Sequence, residues 1–173
     1  MVETLKIAAD AAWQIVVDAD GELVGRTRIQ KIAYLLEAAG LGSGFYFDYK
    51  HYGPFSDELG SALKLASMFN LIEEEERPTS WGGFYSIFRS SEEGGKSENL
   101  NRIRLIEMGK SANAVELELA ATAAFLALEG SLNPWVDTAK LKSDKTSDGR
   151  LDRAKKLYRQ FLNVDTPQPL PAI

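Results

Sequence analysis

The sequence predicts a mainly α chain: a winged-helix-like unit of three helices and a β-hairpin, followed by C-terminal helices. Three observations predict it. Apolar residues recur at helical spacing in three early stretches. Two short runs around a Pro/Gly-rich turn follow the third stretch directly. After a polar loop, helical spacing resumes and continues to Leu162. Three helices and then a hairpin is the order of a winged helix-turn-helix.

Thr4 to Val17 carries Leu5, Ala8, Ala9, Ala12 and Val16 on one stripe, and Asp18-Ala-Asp-Gly21 ends that helix. Thr27 to Ala39 is the second helix, with Ile29, Ile32, Leu36 and Ala39 on one face and Gly40 at the left-handed stop. Leu41 to Ser56 reads as irregular. Ser56 then caps a third helix from Asp57 to Asn70, and Asp57 and Glu58 suit the positive end of its dipole. Leu71–Arg77 and Phe84–Arg89 flank Pro78-Thr-Ser-Trp-Gly-Gly83 as the hairpin. Glu98–Lys110 and Val115–Glu129 are further helical patterns, read as two helices or one bent one. Asn133-Pro134-Trp135 opens a short helix with Pro at its first position. Gly149 to Leu162 is the last helix. The expected organisation is one compact domain over 1–164, with a winged-helix-like part (1–90) and a helical part (98–164). Residues 165–173 form a Pro-rich tail.

With 173 residues, 45% of them hydrophobic, the chain buries a core without a metal or disulfide staple. It has no Cys, which excludes disulfides, thiolate nucleophiles and zinc sites with sulfur ligands. A single His excludes sites that need two. Lys6 and Asp10 interrupt the apolar residues of the N-terminus, which reads as neither signal peptide nor membrane span. Together with the lack of Cys, this points to the cytoplasm.

The net charge of −5 is unevenly spread. Residues 1–90 carry 8 basic and 13 acidic side chains, whereas residues 91–173 carry 12 of each. The segment 138–160 holds eight basic against three acidic residues. A third helix opening on Asp57 and Glu58, beside a wing beginning Glu73-Glu-Glu-Glu76, opposes docking on DNA phosphates. Nucleic acid is therefore not the expected partner. The runner-up reading keeps a winged-helix nucleic-acid regulator that uses the basic 138–160 segment instead of the third helix.

His51 invites a test for catalysis, with Ser56 five residues on. There is no Gly-x-Ser-x-Gly elbow, and Ser56 is explained as a cap. No catalytic residue, metal ligand or cofactor is assigned. Asp18, Asp20 and Gly21 lack the Glu that a calcium loop needs. More informative is the aromatic density: Phe45, Tyr46, Phe47, Tyr49, Tyr52 and Phe55 fall within eleven residues. Such a segment packs over helices as an ordered loop, or offers a protein-contact surface rich in Tyr.

Arg28-Ile-Gln-Lys31-Ile-Ala-Tyr34, then Phe47-Asp-Tyr-Lys-His51-Tyr-Gly53-Pro54-Phe55-Ser56-x-x-Leu59, then a helix ending Asn70-Leu-Ile, resembles the YwgA-like/Panacea domain family, which includes SocA-like antitoxins. The likeness is strongest over 26–72. One departure is Tyr52, which stands between His51 and Gly53 where many members place His directly before Gly-Pro. The resemblance implies a mainly helical, non-enzymatic domain that neutralises or chaperones a partner protein, with no catalytic residues. Lys31, Tyr34, His51, Gly53, Pro54, Phe55 and Ser56, with Tyr52 among them, are the expected partner-binding positions. Binding a partner and holding the fold are both open for them at this level. The acidic wing makes a basic protein, such as a toxin, the expected partner. A membrane is not expected, and the oligomeric state, a homodimer included, is not legible.

Overall fold

The computed structural model describes all residues, 1–173. In chain order the elements are α1 (Val2–Asp18), β1 (Glu22–Val24), α2 (Arg26–Ala38), β2 (Asp48–Lys50), β3 (Gly53–Phe55), α3 (Asp57–Met68), β4 (Ile72–Pro78), β5 (Phe84–Ser90), α4 (Leu100–Ser111), α5 (Ala114–Leu128), α6 (Pro134–Leu141) and α7 (Arg150–Leu162). A single 3₁₀ turn, Ser143–Lys145, lies between α6 and α7. The expectation of a mainly α class built on a winged-helix-like unit is corrected. The chain is α/β, 54% helical and 13% strand, with a three-stranded and a two-stranded sheet.

Three strands overturn that expectation, and each was hidden for a physical reason. β1 has three residues, too few to show alternation, yet Glu22, Leu23 and Val24 pair antiparallel with Arg89, Phe88 and Ile87. It joins the expected hairpin to give the sheet order β1-β5-β4. The second sheet lies inside the segment read as irregular. Asp48, Tyr49 and Lys50 pair with Phe55, Pro54 and Gly53. Proline argues against a strand in the middle of a sheet, but a two-stranded ribbon is all edge and tolerates it.

The helices form where periodicity places them, and local chemistry sets several of their ends. Ser56 Oγ accepts from the Leu59 N–H at 3.1 Å and opens α3. Asn99 and Asn113 cap α4 and α5 in the same way, which separates them into two helices. α5 is buried without interruption from Leu117 to Ala124, and it packs against α2, α6, α7 and β3. A helix enclosed on every side has no polar face to show, and α5 is the hub of the C-terminal half.

A second centre binds α1 to α4. Asp18 is fully buried, and Arg102 Nε donates to its Oδ2 at 2.7 Å. Gln14 Nε2 and the Ser97 N–H donate to Oδ1, both at 2.8 Å, while Arg102 Nη1 donates to the Leu41 carbonyl at 2.7 Å. The carboxylate and the guanidinium are thus matched by charge and by hydrogen bonds, which burial requires.

The C-terminal stretch packs onto the body. Leu170 is buried, the Gln168 N–H donates to the Ala39 carbonyl at 3.1 Å, and Tyr158 OH donates to the Pro171 carbonyl at 2.5 Å. Gly40 makes room for it. Its φ is +74°, and a Cβ there would stand 3.2 Å from the Gln168 backbone nitrogen. Gly40→Ala should therefore cost about 1–3 kcal/mol in urea unfolding, combining left-handed strain with displacement of the tail. Gly21→Ala, with φ +82° and open space around it, should show the strain alone, about 1 kcal/mol. Equal losses at the two positions would contradict this docking of the tail.

Candidate functional site

The eight expected partner-binding residues divide sharply. Lys31, Tyr34, Gly53, Pro54 and Ser56 are buried, Phe55 is half-buried, and only His51 and Tyr52 are exposed. The buried ones fasten the β2–β3 ribbon to the helices beneath. Lys31, fully buried on α2, donates from Nζ to the Pro54 carbonyl at 2.6 Å. Its neighbour Gln30 holds both sides of one peptide unit: Nε2 donates to the Ser56 carbonyl at 3.0 Å, and Oε1 accepts from the Ser56 N–H at 2.8 Å. Gly53 has φ +87°, and a Cβ there would meet Thr122 Oγ1 of α5 at 2.4 Å. Only glycine fits, so the ribbon approaches α5 as closely as backbone allows.

Three further side chains complete the fastening. Glu118 is buried in α5 between Leu117 and Leu119. Lys142, also buried, reaches it at 3.1 Å and donates to the His51 carbonyl as well. Lys145 Nζ lies 2.8 and 3.0 Å from the two Glu118 oxygens and 4.6 Å from the Tyr52 ring centroid. Lys142 Nζ lies 5.7 Å from the Tyr49 ring centroid. Two lysines therefore pair with one carboxylate under the ribbon, and Lys31 holds the ribbon backbone beside them. Burial pulls the Lys31 ammonium down to about 7; Glu118 opposes that shift, while Lys142 and Lys145 add to it.

The aromatic residues of the segment form a graded layer. Tyr34 is buried, 5.5 Å from Phe47 and 5.7 Å from Phe125 between ring centroids, and burial pushes its phenol well above the ordinary value. Tyr49 lies 6.0 Å from Phe125. Tyr46 and Tyr52 stand outward, 65% and 57% exposed, and Tyr49 is exposed beside them. Glu37 Oε1 accepts from the N–H groups of Ser43, Gly44 and Phe45, and Glu58 accepts from Tyr46 N–H, which fixes the approach to the ribbon. Lys50 bridges to Asp57 at 2.7 Å and sits 4.7 Å from the Phe55 ring centroid.

Sequence reasoning missed Glu118, Thr122, Lys142 and Lys145. A signal for Glu118 existed, since it is the lone charge in the run Leu117–Ala124. The two lysines looked like part of a solvated basic face. The structure turns them inward and sets Arg153 against Glu116 at 2.6 Å, which takes three of the segment's eight basic residues into ion pairs within the chain. The acidic wing is balanced from within as well. Arg26 lies 2.6 Å from Glu74 and 3.2 Å from Glu76, and Arg77 and Arg89 hold Glu75 at 2.7 and 2.6 Å. Their hydrogen bonds hold the Glu75 carboxyl at about 2. Three of the four wing glutamates are thus paired by this chain's own arginines.

No group of three or more His, Cys, Asp or Glu is placed to hold a metal, and no helix is long and apolar enough to cross a membrane. Comparison with protein-family models, curated proteins and solved structures finds no match to this chain.

Lys31 makes stability depend on pH with a definite sign. The unfolded chain keeps this proton up to about 10.5, whereas the folded chain gives it up near 7. Through that window the unfolded state binds more protons, so stability rises with pH. Above pH 10 the trend reverses, because Tyr34 and Tyr158 are held neutral in the fold and ionise in the unfolded chain. Urea midpoints should therefore climb from pH 7 towards 10 and then fall. Lys31→Met should flatten the climb and leave the fall; an unchanged climb would contradict the assignment.

Proposed function

We propose that the chain is a non-enzymatic protein-binding module, antitoxin-like or regulatory, which neutralises or chaperones a partner in the cytoplasm. One observation carries this reading: a braced ribbon and the residues leading into it present Tyr46, Tyr49 and Tyr52 to solvent. Tyrosine suits such a task. Its ring supplies contact area, its hydroxyl supplies a hydrogen bond, and few rotatable bonds are frozen on binding. Bracing adds affinity by removing the ordering cost that a mobile loop carries into a complex. The resemblance over residues 26–72 supports the antitoxin version.

The partner-binding role passes from the buried motif to the groups it displays. Lys31, Gly53, Pro54 and Ser56 act by placing the ribbon. His51 and Tyr52, with Tyr46 and Tyr49, make the contact. Phe55 and Tyr34 support it from within. The inward course of Lys142 and Lys145 weighs against the runner-up reading of a nucleic-acid regulator on the 138–160 segment.

Co-expression with the product of the adjacent gene, followed by calorimetric titration, tests the proposal. The two proteins should bind. Tyr46→Ala with Tyr52→Ala should weaken binding about tenfold or more, while the thermal melt falls only by the few degrees that the lost Lys145–Tyr52 contact accounts for. Absence of binding, or full affinity in the double variant, would overturn it.

A further inference from the structure

A second unpartnered surface is built around α6 from residues other than those of the ribbon. Two hollows of ≈ 420 Å³ and ≈ 440 Å³ adjoin at Trp135 and Val136, which line both; the first is also walled by Pro171–Ile173, the second runs between α6 and α7, and together they make a groove. The floor is fixed, because the Trp135 ring stands edge-on to Tyr158 at 5.9 Å between centroids. The rim is apolar and open: Leu132 is 94% exposed and Val136 53%. Ala139 and Leu151 continue the apolar lining towards α7. Exposed apolar surface that is concave and continuous marks an interaction site.

Charge says what fits there. The charged side chains lining the groove are Lys140 and Lys155, and no carboxylate side chain lines either cavity. Neither lysine has an ion-pair partner in the fold, and Lys155 Nζ lies 6.0 Å from the Trp135 ring centroid. This is the reverse of the cation cluster under the ribbon, where Glu118 supplies the counter-charge.

We propose that this groove takes an amphipathic helix of a partner protein, with apolar residues against Leu132, Val136 and Leu151 and Asp or Glu beside Lys140 and Lys155. Helical side chains at i, i+3 and i+4 spacing match a groove whose lining is itself presented by a helix. The concave shape favours a helix over a lipid surface, which is met by a protruding apolar face. The proposal concerns a surface separate from the tyrosine ribbon and stands or falls independently of it.

The test is an amide NMR titration of the full chain with two designed helical peptides of about 18 residues. Both carry leucines at i, i+3, i+4 and i+7 spacing; one has glutamates flanking them and the other lysines. The glutamate peptide should shift the amides of Leu132–Leu141 and of Leu151–Lys155 and bind about tenfold or more tighter than the lysine peptide. Val136→Asp, at an exposed position that leaves the fold intact, should abolish those shifts. Lys140→Glu with Lys155→Glu should reverse the preference. Equal binding of both peptides, no shift with either, or an unchanged preference in the charge-reversed variant would overturn the proposal. Co-sedimentation with phosphatidylglycerol vesicles without peptide binding would also overturn it and assign the groove to a membrane surface.

Discussion

A carboxylate in the middle of a buried helix organises the C-terminal half of this protein. Glu118 sits in α5, enclosed by α2, α6, α7 and β3, where an unpaired charge would cost several kcal/mol. The fold answers with Lys142 and Lys145, whose side chains reach it from the end of α6 and the 3₁₀ turn that follows. Lys142 also donates to the His51 carbonyl, so the group that neutralises Glu118 holds the tip of the ribbon as well. Lys31 grips the other strand of the ribbon at Pro54 from the α2 side. Charge burial thus becomes positional information: a short ribbon of two three-residue strands, too small to be stable alone, is held by lysines against a helix.

The same matching of charge within the chain recurs beyond Glu118. The basic 138–160 segment gives Lys142, Lys145 and Arg153 to Glu118 and Glu116. Glu74, Glu75 and Glu76 of the wing are matched by Arg26, Arg77 and Arg89. The two proposed contact sites are the exposed tyrosines at the ribbon and the groove over α6, with two lysines that no ion pair engages.

The helices were legible because their burial is periodic, and the caps Ser56, Asn99 and Asn113 were visible as residue types. The strands were less so. β1 is short, and β2–β3 contains the Gly-Pro pair that ordinarily signals a turn, so a mixed α/β chain read as mainly α. The candidate site was half legible. The motif residues around Lys31 and Gly53 stood out, but their side chains point to the backbone of the ribbon rather than to solvent. Their partners Glu118, Thr122 and Lys142 lie far along the chain, and no local pattern connects them. Gly53 illustrates the limit: the sequence shows a glycine in a turn-like context, while the close approach to Thr122 exists only once α5 is packed.

Amide hydrogen exchange on the Lys31→Met variant is the most direct measurement of the central claim that buried lysines hold the ribbon. Losing the Lys31 hydrogen bond and leaving the buried Pro54 carbonyl without its donor should release the amides of Asp48–Phe55, speeding their exchange about 10–100-fold. The β4–β5 amides should keep wild-type protection. Unchanged exchange in the ribbon, or uniform acceleration throughout the chain, would contradict the claim.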